Sequence, residues 1–338
     1  MMSARAAPAE PGHVPVLLAE AIEALDPRAG GLYVDATFGA GGYASALIER
    51  GARVIAIDRD PSAIRAGEAL ASSSGGRLQL VEARFSELDA VAVRLGAEAA
   101  DGVVFDIGVS SMQLDEAGRG FSLRFDAPLD MRMGGGGRSA ADILREEDEE
   151  TIADILFYFG EERAARRIAR AIVADRRTRP FASTLELASL IARVAPAPRG
   201  ELTHPATRAF QALRIAVNDE LGELVRGLSA AERLIKPGGR LAAVTFHSLE
   251  DRIVKLFFGR RSGRGRTASR RLPGEPAEAE PTFEVPRGQP VKPSEAEARA
   301  NPRSRSAKLR FGIRTAQPAR GHDEEIEALA RLPARRGR

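Results

Sequence analysis

Cysteine and tryptophan are absent from this 338-residue chain, and only four histidines occur. Without thiols there can be no disulfide, no thiolate zinc site and no cysteine nucleophile. His13, His204, His247 and His322 are too scattered to suggest a metal site, so no catalytic metal is expected. No apolar run approaches the roughly 18 residues of a membrane span, and no membrane association is expected. Met1 to Gly12 is rich in Ala and Pro and lacks the apolar centre of a secretion signal. It reads as a loose tail on a cytoplasmic protein. The remaining composition, 43% hydrophobic and 29% charged, is globular. The length suits one large domain or one domain carrying an insertion. Lysine is scarce, and arginines cluster at Arg260, Arg261, Arg264, Arg266, Arg270 and Arg271 and again at Arg331, Arg335, Arg336 and Arg338. These clusters suit contact with nucleic-acid phosphates, or reflect a composition biased toward Ala, Arg and Gly.

The most informative stretch runs from Leu32 to Asp58. A short apolar strand ends in Asp35-Ala36, and a glycine turn, Thr37-Phe38-Gly39-Ala40-Gly41-Gly42-Tyr43, follows. A helical pattern from Ala44 to Arg50 leads to a second strand, Arg53 to Ile57, closing on Asp58. That is one βαβ unit. Gly39, Gly41 and Gly42 let the backbone approach a ligand, and the first N–H groups of the helix point to the same place. Asp58, nineteen positions after Gly39, is placed to accept two ribose hydroxyls. A dinucleotide and S-adenosylmethionine both fit. Asp35 just before the turn, and Asp106 at the end of Gly102-Val103-Val104-Phe105, would repel a pyrophosphate and attract an ammonium and a sulfonium. The methyl donor is favoured.

Other elements follow in order. A helix is expected over Ala19 to Leu25, another from Ser62 to Leu70 with Pro61 at its first position, and a strand at Leu78 to Val81. Phe85 could lie against an adenine or serve the core. Gly118 to Gly137 carries Phe121, Phe125, Met131 and Met133, and reads either as a flexible lid or as a surface loop pinned by two buried phenylalanines. From Ser139 to Val217 the periodicity is helical, with cap pairs Ser139/Asp142 and Ser183/Glu186 and a stop at Gly160. A helix over Asp219 to Ile235 ends at Lys236-Pro237-Gly238-Gly239, before a strand from Arg240 to Phe246. Ser248 and Asp251 read as the cap of the next helix, with His247 either touching substrate or orienting the turn. Arg260 to Ala300 is expected to be partly mobile, and Leu309 to Ile313 to be a last strand.

Several stretches together resemble the bacterial ribosomal RNA small subunit methyltransferase H family. They are His13-Val14-Pro15-Val16-Leu17-Leu18, Asp35 to Gly42, Asp106-Ile107-Gly108-Val109-Ser110-Ser111 and Pro128 to Met133. His204 to Gln211, Phe246 to Arg252 and Asn301 to Ser306 extend the similarity, in chain order, to Phe311. The resemblance implies an α/β, class I S-adenosylmethionine-dependent methyltransferase sheet with an inserted all-helical domain. It implies methyl transfer to the N4 amine of a cytidine in 16S rRNA, near the decoding site. Its donor-binding positions fall on Gly41, Gly42, Tyr43, Asp58, Phe85, Asp106 and Gln113, and position 43, usually His in the family, is Tyr here.

A cytosine amine is a poor nucleophile, which the enzyme must align with the methyl group without a covalent adduct. The absence of cysteine fits an amine target and disfavours methylation at the ring carbon C5. The base must be unstacked, held by an aromatic such as Phe121 or Phe125. Of the acid-Pro-Pro-aromatic tetrad common in amine methyltransferases only the acid, Asp106, is kept. It is the candidate catalytic residue, facing either the donor's ammonium or the target amine, with the donor role favoured. The expected organisation is a methyltransferase part over 1–115, a helical insertion for substrate recognition over 116–212, and a second methyltransferase part over 213–338. The expected partner is 16S rRNA within the small subunit. A nicotinamide-linked oxidoreductase and a non-catalytic RNA-binding scaffold are the alternatives.

Overall fold

The computed structural model describes residues 15–196, 200, 203–263 and 280–334. Seven strands are β1 (Leu32–Asp35), β2 (Arg53–Asp58), β3 (Leu78–Glu82), β4 (Ala100–Asp106), β5 (Ile235–Thr245), β6 (Phe283–Glu284) and β7 (Lys308–Arg314). They form one sheet in the order β3-β2-β1-β4-β5-β7-β6. The first five are parallel, and β7 runs antiparallel to both β5 and β6. This is the class I methyltransferase arrangement. Both faces of the central strands are covered, which is why Val103, Val104 and Phe105 and Leu241 to Val244 read as unbroken apolar runs and are fully buried.

Before the insertion, the sheet is flanked by α1 (Leu18–Leu25), α2 (Gly42–Glu49), α3 (Pro61–Ser73), α4 (Leu88–Arg94) and the short α5 (Ser111–Asp115). Pro61 is the first residue of α3, and Asp60 caps it. The chain then leaves the sheet for α6 (Ala140–Glu146), α7 (Glu149–Asp154), α8 (Ala165–Asp175), α9 (Thr184–Val194) and α10 (Thr207–Asn218). Ser139 and Ser183 close the capping boxes that their spacing predicts. The helical run expected through Phe159 does reach it, continuing from α7 as a single π-helical turn, Ile155–Phe159, that ends at Gly160. The insertion does not fold around a core of its own. One apolar cluster continues from Val34 and Phe105 through Leu129 and Met131 to Ile168 and Leu213.

The sheet resumes through α11 (Glu220–Leu234), α12 (Ser248–Arg261), α13 (Glu295–Ala300) and α14 (Glu324–Ala328). The strand expected from Arg240 begins earlier, at Ile235, so Lys236-Pro237-Gly238-Gly239 lies within β5, beside an irregularity between Ala100 and Gly102. The α12 cap is His247 with Glu250, one residue before the expected pair. Asp251 is drawn away by Lys308 (2.8 Å) and Arg310 (2.7 Å) of β7. The stretch expected to be mobile divides. Arg264, Arg266, Arg270 and Arg271 lie outside the described residues, as do Arg335, Arg336 and Arg338. After residue 280 the chain supplies β6 and α13, and Glu297 of α13 accepts the Leu17 N–H at 2.8 Å.

Candidate active site

β1, β2 and β4 are neighbours, and each ends in an acid, so Asp35, Asp58 and Asp106 share the carboxyl edge where the strand order reverses. Ligands of open α/β sheets bind at this place. A cavity of about 700 Å³ opens there, lined by the glycine turn, by Asp58, Phe85 and Asp106, and by parts of α5, the 121–133 segment and α10.

The turn is held from below. Asp35 accepts the N–H groups of Thr37 (3.2 Å) and Ala44 (3.1 Å), tying the end of β1 to the start of α2. Its carboxylate is therefore fully buried beneath the turn and does not line the cavity. The expectation that all three acids face the ligand is corrected to two. Burial, aided by the neighbouring Asp58, pushes the Asp35 carboxyl up to about 7, against the pull of its two N–H bonds. Gly39 (φ 52°) and Gly41 (φ 81°) take left-handed backbone. A Cβ on Gly42 would lie 2.0 Å from Pro15 Cγ. Gly41 itself turns inward over Phe38, and the cavity wall is made by Gly39, Ala40, Gly42 and Tyr43. The N–H groups of Gly42 and Tyr43 belong to the first turn of α2, where no carbonyl of that helix reaches them. The Tyr43 hydroxyl donates to the Val16 carbonyl, so ring and backbone, rather than the hydroxyl, are presented to the cavity.

Asp58 accepts the N–H groups of Gly39 and Asp60, each at 2.8 Å, and burial raises its carboxyl above the ordinary range. Phe85 lines the cavity, standing edge-on to Phe105 (5.5 Å between centroids) against Gly227 of α11. Gln113 lines the cavity, yet both ends of its amide are engaged. Nε2 donates to Asp60 (2.9 Å), and Oε1 accepts the Ser110 N–H (3.1 Å). Of the three strand-end acids, Asp106 is the one left with an unpartnered oxygen. Its Oδ1 is buried and has no hydrogen-bond partner among the described residues. Burial, followed by Asp35 and Glu250, raises its carboxyl well above the usual range.

Several residues that sequence reasoning did not single out complete the site. Asp60 gathers Ser62, Gln113 and Arg119, whose hydrogen bonds outweigh burial and hold its carboxyl low. Arg119 also donates to the carbonyls of Arg132 (3.0 Å) and Met133 (2.9 Å). The Asn218 side chain accepts from the Met133 N–H (2.9 Å) and donates to the Met131 carbonyl (2.7 Å). Together they tie the 118–137 segment across the cavity. Phe121 lines the cavity and Phe125 is exposed, so of the two aromatics proposed to hold a base only Phe121 is placed to do so. On the far wall Arg214 grips Glu220 with two 2.8 Å bonds. Glu220, His247 and Glu250 have ligand atoms within 4.8 Å of one another. Arg214 occupies both Glu220 oxygens, and one Glu250 oxygen accepts the Phe246 N–H (2.7 Å) and the His247 N–H (3.2 Å). The trio is built as a capping and ion-pair network.

Among the described residues no helix is long and apolar enough to cross a membrane. Residues 10–315 match the MraW methylase family. Proteins named ribosomal RNA small subunit methyltransferase H are similar along nearly the whole length. That of Methylocella silvestris is 67% identical, covering 96% of this chain and 93% of its own. That of Methylorubrum populi is 62% identical, covering 99% and 96%. Among solved structures, an rRNA methylase from Streptococcus thermophilus is similar at 11% identity and a TM-score of 0.40, covering 88% of this chain and 93% of that one. On the family match and these relatives, the chain belongs to the MraW methylase family.

Proposed function

We propose that this protein transfers the methyl group of S-adenosylmethionine to the N4 amine of a cytidine in 16S rRNA of the small ribosomal subunit, near the decoding site, in the cytoplasm. The observation that carries the reading is the pairing of family membership with a cavity whose two facing acids, Asp58 and Asp106, flank a glycine turn. A nicotinamide-linked reaction and a non-catalytic scaffold find no support in the family.

The residues present suit the methyl donor. Asp58, anchored by two N–H groups, keeps lone pairs for ribose hydroxyls. The N–H groups of Gly42 and Tyr43 suit a carboxylate, and Phe85 offers a flat apolar face to a purine. Gln113 acts by fixing Asp60 and α5 at the cavity edge. The orphaned Asp106 suits an ammonium, which would stabilise its charged form. When bound, the donor would supply an electrophilic methyl, the N–C bond forming as the C–S bond breaks and the amine proton passing to solvent. What the chain contributes is alignment in a cavity walled in part by the 121–133 segment.

The test incubates labelled donor with small subunits lacking the modification, followed by nucleoside analysis. Label in N4-methylcytidine is expected, and intact donor binding with no labelled RNA would overturn the acceptor. Asp106→Asn should weaken donor affinity about tenfold or more, as loss of a charge-assisted hydrogen bond does. Because the free carboxyl is held protonated well above its ordinary range, wild-type affinity should rise with pH and the variant's should not. Calorimetry across pH reads both. Unchanged affinity with collapsed transfer would move Asp106 to the acceptor.

A further inference from the structure

Phe157 and Tyr158 sit side by side on the π-turn, 52% and 42% exposed, with their rings edge-on at 5.0 Å. Their neighbours Ile155, Leu156 and Phe159 are buried, so the turn's apolar contribution to the core is complete without them. Two adjacent exposed aromatics need another reason, and π-turns recur at functional sites. They border a separate cleft of about 650 Å³, whose other walls include Asp154, Arg163, Arg166 and Arg167. The three arginines are exposed and make no ion pair among the described residues. Elsewhere on the insertion Arg138, Arg145, Arg179 and Arg193 are each bridged to a carboxylate. Unpaired cations have thus been left around one aromatic pair.

We propose that this cleft is a subsite for unpaired RNA, with bases stacked on Phe157 and Tyr158 and phosphates met by Arg163, Arg166 and Arg167. The inference rests on the RNA reading above and adds a second point of contact, away from the reacting base. Stacking on aromatics beside a basic track is how single strands are held without sequence preference. A duplex hides its base faces and would not require the aromatics. The cleft is also mechanically joined to the active cavity. The Phe159 carbonyl accepts from Gln211, which lines that cavity from α10 (3.3 Å). Glu161, just past the turn, accepts from Ser248 (2.8 Å) and pairs with Arg252 (3.2 Å) at the start of α12.

The absence of tryptophan supplies a direct probe. Phe157→Trp in the full chain places a single tryptophan, selectively excited above the tyrosine band, on the platform. Single-stranded RNA should quench it with the same midpoint as the anisotropy of labelled RNA, and duplex RNA should not. A Phe157→Leu/Tyr158→Leu variant keeps apolar bulk and removes stacking. Its KM for small subunits should rise about tenfold or more, the cost of a lost stacked base, with kcat and donor affinity kept. Unaltered emission while anisotropy reports bound RNA, together with an unaltered KM, would overturn the subsite. An emission change that follows protein concentration without RNA would assign the face to a second copy instead. Quenching by RNA in a protein that methylates none would leave the subsite standing and overturn the methylation reading.

Discussion

Asp35, Asp58 and Asp106 are the same residue type at the same edge, and their surroundings separate them into three roles. Asp35 holds two backbone N–H groups beneath the turn, Asp58 holds two and still faces the cavity, and Asp106 Oδ1 is left without a partner. The raised Asp35 carboxyl makes stability depend on pH. Between its ordinary 3.8 and about 7 the folded chain keeps a proton that the unfolded chain has lost. Stability from this group is complete below that window and falls as pH rises through it, by about 1.4 kcal/mol per pH unit. Urea midpoints measured across pH should show that fall, and Asp35→Asn should make it shallower. An identical slope in the variant would place the titration elsewhere. The spacing of these acids is readable from sequence, but the direction each side chain turns is not, and so Asp35 was expected in the cavity.

At the level of elements, local signals were the most legible. The capping boxes at Ser139 and Ser183 involve residues three apart and need no distant partner. The α12 cap slipped by one because His247/Glu250 and Ser248/Asp251 have the same spacing, and Asp251 is claimed by β7, which lies 57 residues away at Lys308. Helix packing sets the cavity wall in a comparable way. A Cβ on Gly227 of α11 would stand 2.6 Å from Phe85 Cδ2 and 3.2 Å from Phe105 Cε1. Gly227→Ala should therefore cost about 1–3 kcal/mol by overpacking and push Phe85 into the cavity. Donor affinity, read by calorimetry, should fall with it. A destabilised variant that binds the donor as before would remove Phe85 from the donor pocket.

Across the whole molecule, the insertion and the sheet share one apolar core, so the cavity between them is walled from both sides. The opposite end is pinned by polar groups. Arg261 of α12 meets Glu232 of α11 at 2.9 Å with both side chains buried, and Thr282 before β6 donates to the other Glu232 oxygen at 2.6 Å. Arg261→Met removes that carboxylate's ion-pair partner and should lower unfolding free energy by about 3–5 kcal/mol. None of these residues lines the cavity, so donor affinity at low temperature should be unchanged. Loss of donor binding in the folded variant would show that the two ends are coupled.

The sequence by itself determined the βαβ unit, the acids at the strand ends, the helical insertion and the family, because each is carried by local periodicity, by capping pairs or by contiguous motifs. Only the tertiary structure decided which acids face the cavity, which phenylalanine lines it, and where unpaired arginines gather around exposed aromatics. Those outcomes depend on contacts between residues far apart in the chain, such as Gln113 with Asp60, Asn218 with Met131 and Asp251 with Lys308. Burial and partner choice belong to the packed molecule, since a side chain's environment is set by neighbours that sequence spacing does not reveal.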